Sequence, residues 1–343
     1  MKRPIGILAL SILILIVCAF ASLFVGAIDI SMSNVADAWL WGNANALKST
    51  ERTILHELRL PRMISALLVG GSLGVAGVGF QSLFRNPLAD PFIIGASSGA
   101  SLGVAIAIVM GLQASFLGLR SSAFAALAGS ILLIMVVLSI GSLSQRPGPT
   151  SLLLAGVAIS CMVNSIVSLL MYWHDDKVVV IVAWLTGSLA GNNWSSVWTT
   201  FLLSLVGLAI LWSLSRPLDA YLLGDVASKS LGLDLVRFRV LLVVGAGIAT
   251  ATAVAAAGII GFVGLIAPHL ARWIVGPRHA ILVPMSWCIG AIILILADAV
   301  ARTIIAPAEL PIGILTALLG SPFFLGLLLF RPQHPSGSAE ASI

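Results

Sequence analysis

Long apolar runs, each close to the length of a bilayer crossing, alternate along this chain with short polar links. The runs fall near residues 5–28, 60–83, 92–112, 122–143, 151–173, 195–214, 236–256, 259–275, 280–301 and 311–330. About 20 apolar residues cross a hydrocarbon core of roughly 30 Å. Backbone groups in lipid must be satisfied within the segment, so each run predicts a helix. The apolar stretch 236–275 is too long for one crossing and divides at Ala257-Gly258. The stretch 178–191 is too short to cross and predicts a re-entrant or interfacial piece. The expectation is an all-α polytopic membrane protein with about ten transmembrane helices. Residues 1–332 form its single domain, and the polar tail 333–343 is disordered.

Composition strengthens this reading. Hydrophobic residues make up 59% of the 343 and charged residues 9%, against about 25% charged in a soluble domain. Such a chain cannot cover itself with a polar surface. Its net charge of +5 does not indicate nucleic acid, because no Lys/Arg run with interleaved aromatics occurs. Ten crossings put both termini on one side, and eleven of the 18 Lys and Arg fall there, which marks it as the cytoplasmic side. Lys2 and Arg3 precede a first run of about 24 residues, longer than the apolar region of a secretory leader, so an uncleaved first span is expected. Cys18, Cys161 and Cys288 lie inside apolar runs without a CxxC pair and read as packing residues. The small residues from Gly70 to Gly77 recur at spacings of three and four, which lets another helix approach closely.

What is absent narrows the function. No Gly-Lys pair occurs anywhere, so the chain has no P-loop to hold nucleotide. No HExxH and no His/Cys cluster with metal spacing occurs, and the five histidines are scattered near span ends and links. No catalytic constellation is visible. The one deep acid, Asp298, has Arg302 four residues on, and the two can pair on one helix face. A self-powered secondary carrier or channel is the alternative reading. However, without an engine or an evident ion relay, the chain is expected to draw its energy from a partner.

Function must then lie in the polar links. Between Arg216 and Arg239, the segment Gly224–Gly232 reads as a short helix. Asp225 serves as its N-cap, Gly232 takes the left-handed position after its last turn, and Asp234 caps the next span. A rigid helix outside the membrane is a plausible lever for a cytosolic engine. Arg59-Leu60-Pro61-Arg62 places two arginines on the outer side and at a helix N-terminus, where both the positive-inside bias and the helix dipole disfavour them. Glu51 and Glu57 could compensate locally, or an acidic face on an external partner could do so, with Arg302 joining. Asp90 can cap span three with Pro91 at its first position, leaving Asn86 and Leu88 at the cytoplasmic mouth. Gly258, Gly261 and Gly264 permit a sharp turn between close-packed helices, and Pro268 a kink or an end before His269.

Several of these segments together resemble the permease family of iron-siderophore, haem and cobalamin importers, a class of bacterial ABC transporter. They are Arg59–Arg62, Asn86–Pro91 running into Gly95–Ala100, Leu223-Gly224-Asp225 with Ala227 and Leu231-Gly232, Gly261–Leu265 with Pro268-His269, and Glu309–Gly313. They stand in family order over roughly residues 55–325. The resemblance implies the type II ABC importer permease fold and a homodimer or close heterodimer in the bacterial inner membrane. It also implies two cytosolic ATPase subunits and an external substrate-binding protein. Gly224, Asp225, Ala227, Leu231 and Gly232 would then dock the ATPase, and Arg59, Arg62 and Arg302 the binding protein. Asn86, Leu88 and Thr150 would form the cytoplasmic gate. The chain would bind no metal and no cofactor itself, with ATP and Mg held by the partner ATPase. The cargo would be a metal chelate: ferric siderophore or haem first, cobalamin after them.

Overall fold

The computed structural model describes residues 2–26, 28, 30–35, 48–112, 115–116, 119–144 and 148–329. The tail expected at 333–343 lies outside them. The molecule is a helical bundle with thirteen α-helices among the described residues, besides a helical turn at 32–35 and a short hairpin pairing Ser115-Phe116 with Leu119-Arg120. Seven are long and apolar enough to cross a membrane: α1 (Lys2–Ser22), α2 (Ser49–Leu83), α4 (Ser121–Leu143), α5 (Pro149–Trp173), α7 (Trp194–Ser213), α10 (Leu235–Ala257) and α12 (His279–Ala301). The other three expected spans are shorter apolar helices: α3 (Ala96–Val109), α11 (Val263–Val275) and α13 (Ile312–Leu329). The remaining helices are short: α6 (Val178–Leu185) in the stretch too brief to cross, and α8 (Ser215–Tyr221) and α9 (Asp225–Ser230) in the long link before α10.

The shortening has local causes. Asp90 does not cap α3. Its carboxylate accepts from the Phe92 amide and caps a single 3-10 turn, Pro91–Ile94, after which Gly95 turns left-handed and α3 starts at Ala96. Between α10 and α11 the chain turns at Gly258 (φ +72°) and again at Phe262 (φ +67°), which leaves the apolar residues between them outside any helix. Pro268 neither ends nor interrupts α11, which continues to Val275.

α2 is the axis of the bundle. Its middle is buried all round because its small residues let neighbouring backbones approach: Gly70 faces the Gly290 carbonyl and Gly74 the Ser286 carbonyl of α12, while Gly77 faces the Gly264 carbonyl of α11. A side chain at any of the three would collide with backbone. Near its start α2 contains a π-helical stretch, Ile54–Arg59, in which the Leu60 amide bonds back five residues to the Leu55 carbonyl. The wider turn comes just before Pro61, which has no amide to donate. Two apolar cores flank the axis. One lies among α2, α4, α5, α10 and α12, and the other joins α1, α2, α12 and α13. On the periphery, α4, α5 and α7 turn Leu132, Leu154 and Leu202 outward, as lipid-facing helices do.

Candidate functional sites at the two ends of the bundle

α2 carries arginines at both ends. Arg62 and Arg85 are 23 residues apart, about 35 Å along a helix, so each end of the axis brings guanidinium groups to one boundary of a bilayer-thick layer.

At the Arg85 end, α2 closes with the hydrogen-bond pattern of a Schellman motif. The Asn86 amide donates to the Gln81 carbonyl and the Arg85 amide to the Ser82 carbonyl. Arg85 takes the left-handed position (φ +48°) that glycine usually fills. Its side chain reaches across to the α8–α9 link, donating to the Tyr221 carbonyl (2.8 Å) and to Asp225 Oδ1 (2.6 Å) and lying 4.3 Å from the Tyr221 ring centre. Arg239, in the first turns of α10, donates to Asp225 Oδ2 (2.6 Å) and to the Tyr221 hydroxyl (3.3 Å). The Tyr221 hydroxyl donates to the Leu83 carbonyl, closing the ring of contacts. Asp225 is therefore not the N-cap of α9. Gly224 (φ +101°) holds that position, and the Asp225 carboxylate is committed to two arginines. Partial burial pushes this carboxyl up, but the bonds from Arg85 and Arg239 outweigh it and leave the group below its ordinary value. Gly232 sits left-handed (φ +83°) after α9, and Asp234 caps α10 by accepting from the Val236 and Arg237 amides, both as the sequence suggests.

The same end holds the expected gate residues. The Asn86 carboxamide accepts from the Leu88 amide, so both residues shape one turn directly after Arg85. Thr150 stands exposed at the start of α5, and Gly156 of that helix packs on the Ile93 carbonyl of the same link. Burial pushes the Asp90 carboxyl in this link up to about 6. A further chain of hydrogen bonds, Asp219 to His279 (2.6 Å) to Ser82 (2.9 Å), ties α8, α12 and the end of α2 together. Ser82 is buried, which suits bracing and denies a nucleophile its substrate.

At the other end, Arg59, Arg62 and Arg302 come together, as their joint assignment requires. The compensating acids are neither Glu51 nor Glu57. Arg62 donates through Nε to Asp298 Oδ1 (2.8 Å) and through Nη1 to both oxygens of Glu309 (2.9 and 2.8 Å). Arg302 pairs with Asp298 Oδ2 (3.1 Å), the i,i+4 pair expected, and donates to the Ser22 carbonyl (3.1 Å). Arg59 donates to the carbonyls of Leu23 (2.7 Å) and Ile28. All three arginines are buried, yet with Glu309 they border an open cavity of about 260 Å³. Sequence reasoning gave no role to Arg85, Arg239 or Tyr221, and picked out Glu309 only as part of a family segment, not as the partner of Arg62. The available signal was scarcity: with 9% charged residues, each charge beside a link needs a partner.

Seven long and three shorter apolar helices thus form a bundle with a charged cluster at each of its two ends. Residues 14–330 match the FecCD transport family, and the chain belongs to that family: it is the transmembrane permease subunit of an ABC importer, and separate subunits hydrolyse ATP. It is 39% identical to the molybdate import system permease protein MolB of Haemophilus influenzae over 93% of this chain and 94% of that one. It is likewise 39% identical to the Fe(3+) dicitrate transport system permease protein FecD of Escherichia coli, over 91% and 94%. Among solved structures, it superposes on an inward-facing metal-chelate type ABC transporter with a TM-score of 0.81 at 35% identity, covering 95% of this chain and 99% of that one.

Proposed function

We propose that this chain forms a homodimer in a bacterial inner membrane, with both termini cytoplasmic, and carries a metal chelate inward, a ferric siderophore or haem ahead of cobalamin. Two cytosolic ATPase subunits holding ATP and Mg dock on α9 and its flanks, at Gly224, Asp225, Ala227, Leu231 and Gly232. An external binding protein delivers cargo at the Arg59, Arg62 and Arg302 end, and Asn86, Leu88 and Thr150 gate the cytoplasmic mouth. The chain itself needs no cofactor.

One observation carries this reading. α9 projects beside a charged, water-compatible link, yet Leu223, Val226 and Leu231 stand 66%, 82% and 65% exposed around it. Exposed apolar side chains on a short, doubly anchored helix fit the groove of a partner protein. Replacing Val226 and Leu231 with Asp should abolish co-purification of the ATPase subunits while the permease still folds and dimerises. Unchanged co-purification would overturn the docking assignment. In liposomes the complete importer should take up labelled ferric siderophore with ATP, and the permease alone should move none; uptake by the permease alone would reject the whole reading.

A further inference from the structure

An external acidic group cannot reach Arg62 as the structure stands, because Glu309 already occupies it. We infer that Glu309 is an internal substitute for the carboxylate of the external partner, and that docking displaces it and frees the α12–α13 link. The inference rests on the proposed docking at this end and says how it is regulated.

The two acids in the cluster are not equivalent. Asp298 is 1% exposed and held between Arg62 and Arg302 on the rigid α12. The Glu309 side chain is 40% exposed and comes from the link between α12 and α13. Both of its oxygens meet the same guanidinium nitrogen, Nη1 of Arg62. Arg62 and Arg302 share the single carboxylate of Asp298, so when Glu309 leaves, two guanidinium groups are left facing one buried acid. A buried positive site of that kind draws in another carboxylate. An acidic side chain on the partner can enter the open cavity and take over Arg62, while Asp298 stays fixed.

The link that Glu309 anchors is itself stitched to other helices. The Leu310 amide bonds to the Ala301 carbonyl at the end of α12. The Ile312 and Gly313 amides bond to the Gly187 and Thr186 carbonyls just past α6, and the Ser188 amide bonds to the Ala257 carbonyl of α10. Glu309 therefore sits at the free end of a seam that joins the start of α13 to α6 and α10. Exchanging its partner for an external acid would pass the docking event to those helices.

The test compares the unaltered permease, Glu309→Gln and Arg62→Glu, each assembled with its ATPase subunits in nanodiscs, for affinity toward the purified binding protein of the same importer. Glu309→Gln removes the competitor and should bind the partner roughly five- to tenfold tighter at low salt, whereas Arg62→Glu should bind it at least about tenfold more weakly. Loss of affinity in Arg62→Glu with unchanged or weaker binding in Glu309→Gln would leave docking in place and overturn the displacement. Unchanged affinity in Arg62→Glu would overturn the docking reading itself; Arg59→Glu serves where Arg62→Glu fails to assemble. Amide hydrogen exchange gives a readout that needs no partner. The Leu310, Ile312 and Gly313 amides should exchange faster in Glu309→Gln than in the unaltered permease, and equal rates would reject the anchoring role.

Discussion

Arg85 occupies backbone space that glycine enters at lower cost. A non-glycine residue in the left-handed region costs roughly 1–2 kcal/mol, and here the side chain offsets it through Asp225, the Tyr221 carbonyl and the Tyr221 ring. The turn and the side chain can therefore be separated by substitution. Arg85→Ala keeps the strained backbone and loses the contacts, while Arg85→Gly loses the contacts and relaxes the backbone. Arg85→Gly should melt above Arg85→Ala by about 2 °C or more, since 1 kcal/mol shifts a chain of this size by a few degrees. Both should lower the ratio of cargo moved to ATP hydrolysed in the assembled importer. If Arg85→Gly restored that ratio, the residue would matter only for closing α2. Gly232 is the opposite case: its left-handed turn lies in open space, so only the backbone conformation requires glycine there.

Between elements, the Asp225 carboxylate is the joint. It connects α9, which is proposed to meet the ATPase, with Arg85 at the mouth of the bundle and Arg239 on α10. A lever needs such a joint, because a helix moved by an engine does nothing unless the gate moves with it. Replacing Asp225 with Asn and Arg85 with Gln, singly and together, should show strong non-additivity in the coupling ratio, as expected for residues sharing one ion pair. Additive losses would mean that the two act separately. The joint should also withstand acid. The Asp225 carboxyl lies below its ordinary value of about 3.9, so its contribution is fully present above that value and is lost only as the pH falls through the still lower folded value. The joint should add no pH dependence to coupling between pH 8 and pH 5 in reconstituted vesicles: any loss near pH 6 belongs to Asp90, the carboxyl that burial pushes up to about 6, and should vanish in Asp90→Asn, whereas a loss that persists in that variant would overturn the assignment. What the sequence shows at this scale follows from distance along the chain. The turn at Gly232 and the cap at Asp234 act within a few residues and could be read directly. Arg85 and Asp225 are 140 positions apart, and Arg62 lies 236 and 247 from its two acids. Nothing local announces those pairings, which is why Asp225 reads as a cap and Glu51 and Glu57 as the balancing charges. The ten apolar runs were legible because lipid imposes a length on each of them. Where a glycine or a 3-10 turn shortened a helix, the hydropathy of the run did not change with it.

At the scale of the whole molecule, the bundle has one face that does not suit lipid. Along α5, Cys161, Asn164, Ser165 and Ser168 are all exposed. The two serine hydroxyls bond back to carbonyls of their own helix, at Cys161 (2.9 Å) and Asn164 (3.0 Å), and so hide their polarity. The Asn164 carboxamide stays on the surface, and leaving such a group in hydrocarbon costs roughly 2–7 kcal/mol. A polar stripe on a transmembrane helix belongs against water or a second protein. In the proposed homodimer both are available, because a pathway between two copies would be lined by α5 from each. By contrast α7 exposes Trp198, Leu202 and Leu205 along its outer face. With Cys18 and Cys288 replaced by Ala, Cys161 is the remaining thiol and reports on the stripe directly. In the assembled importer it should react with a membrane-impermeant maleimide. A thiol introduced by Leu205→Cys, in a chain that also lacks Cys161, should remain unlabelled. Equal protection of both positions would show that water does not reach the stripe and would place the pathway elsewhere in the bundle.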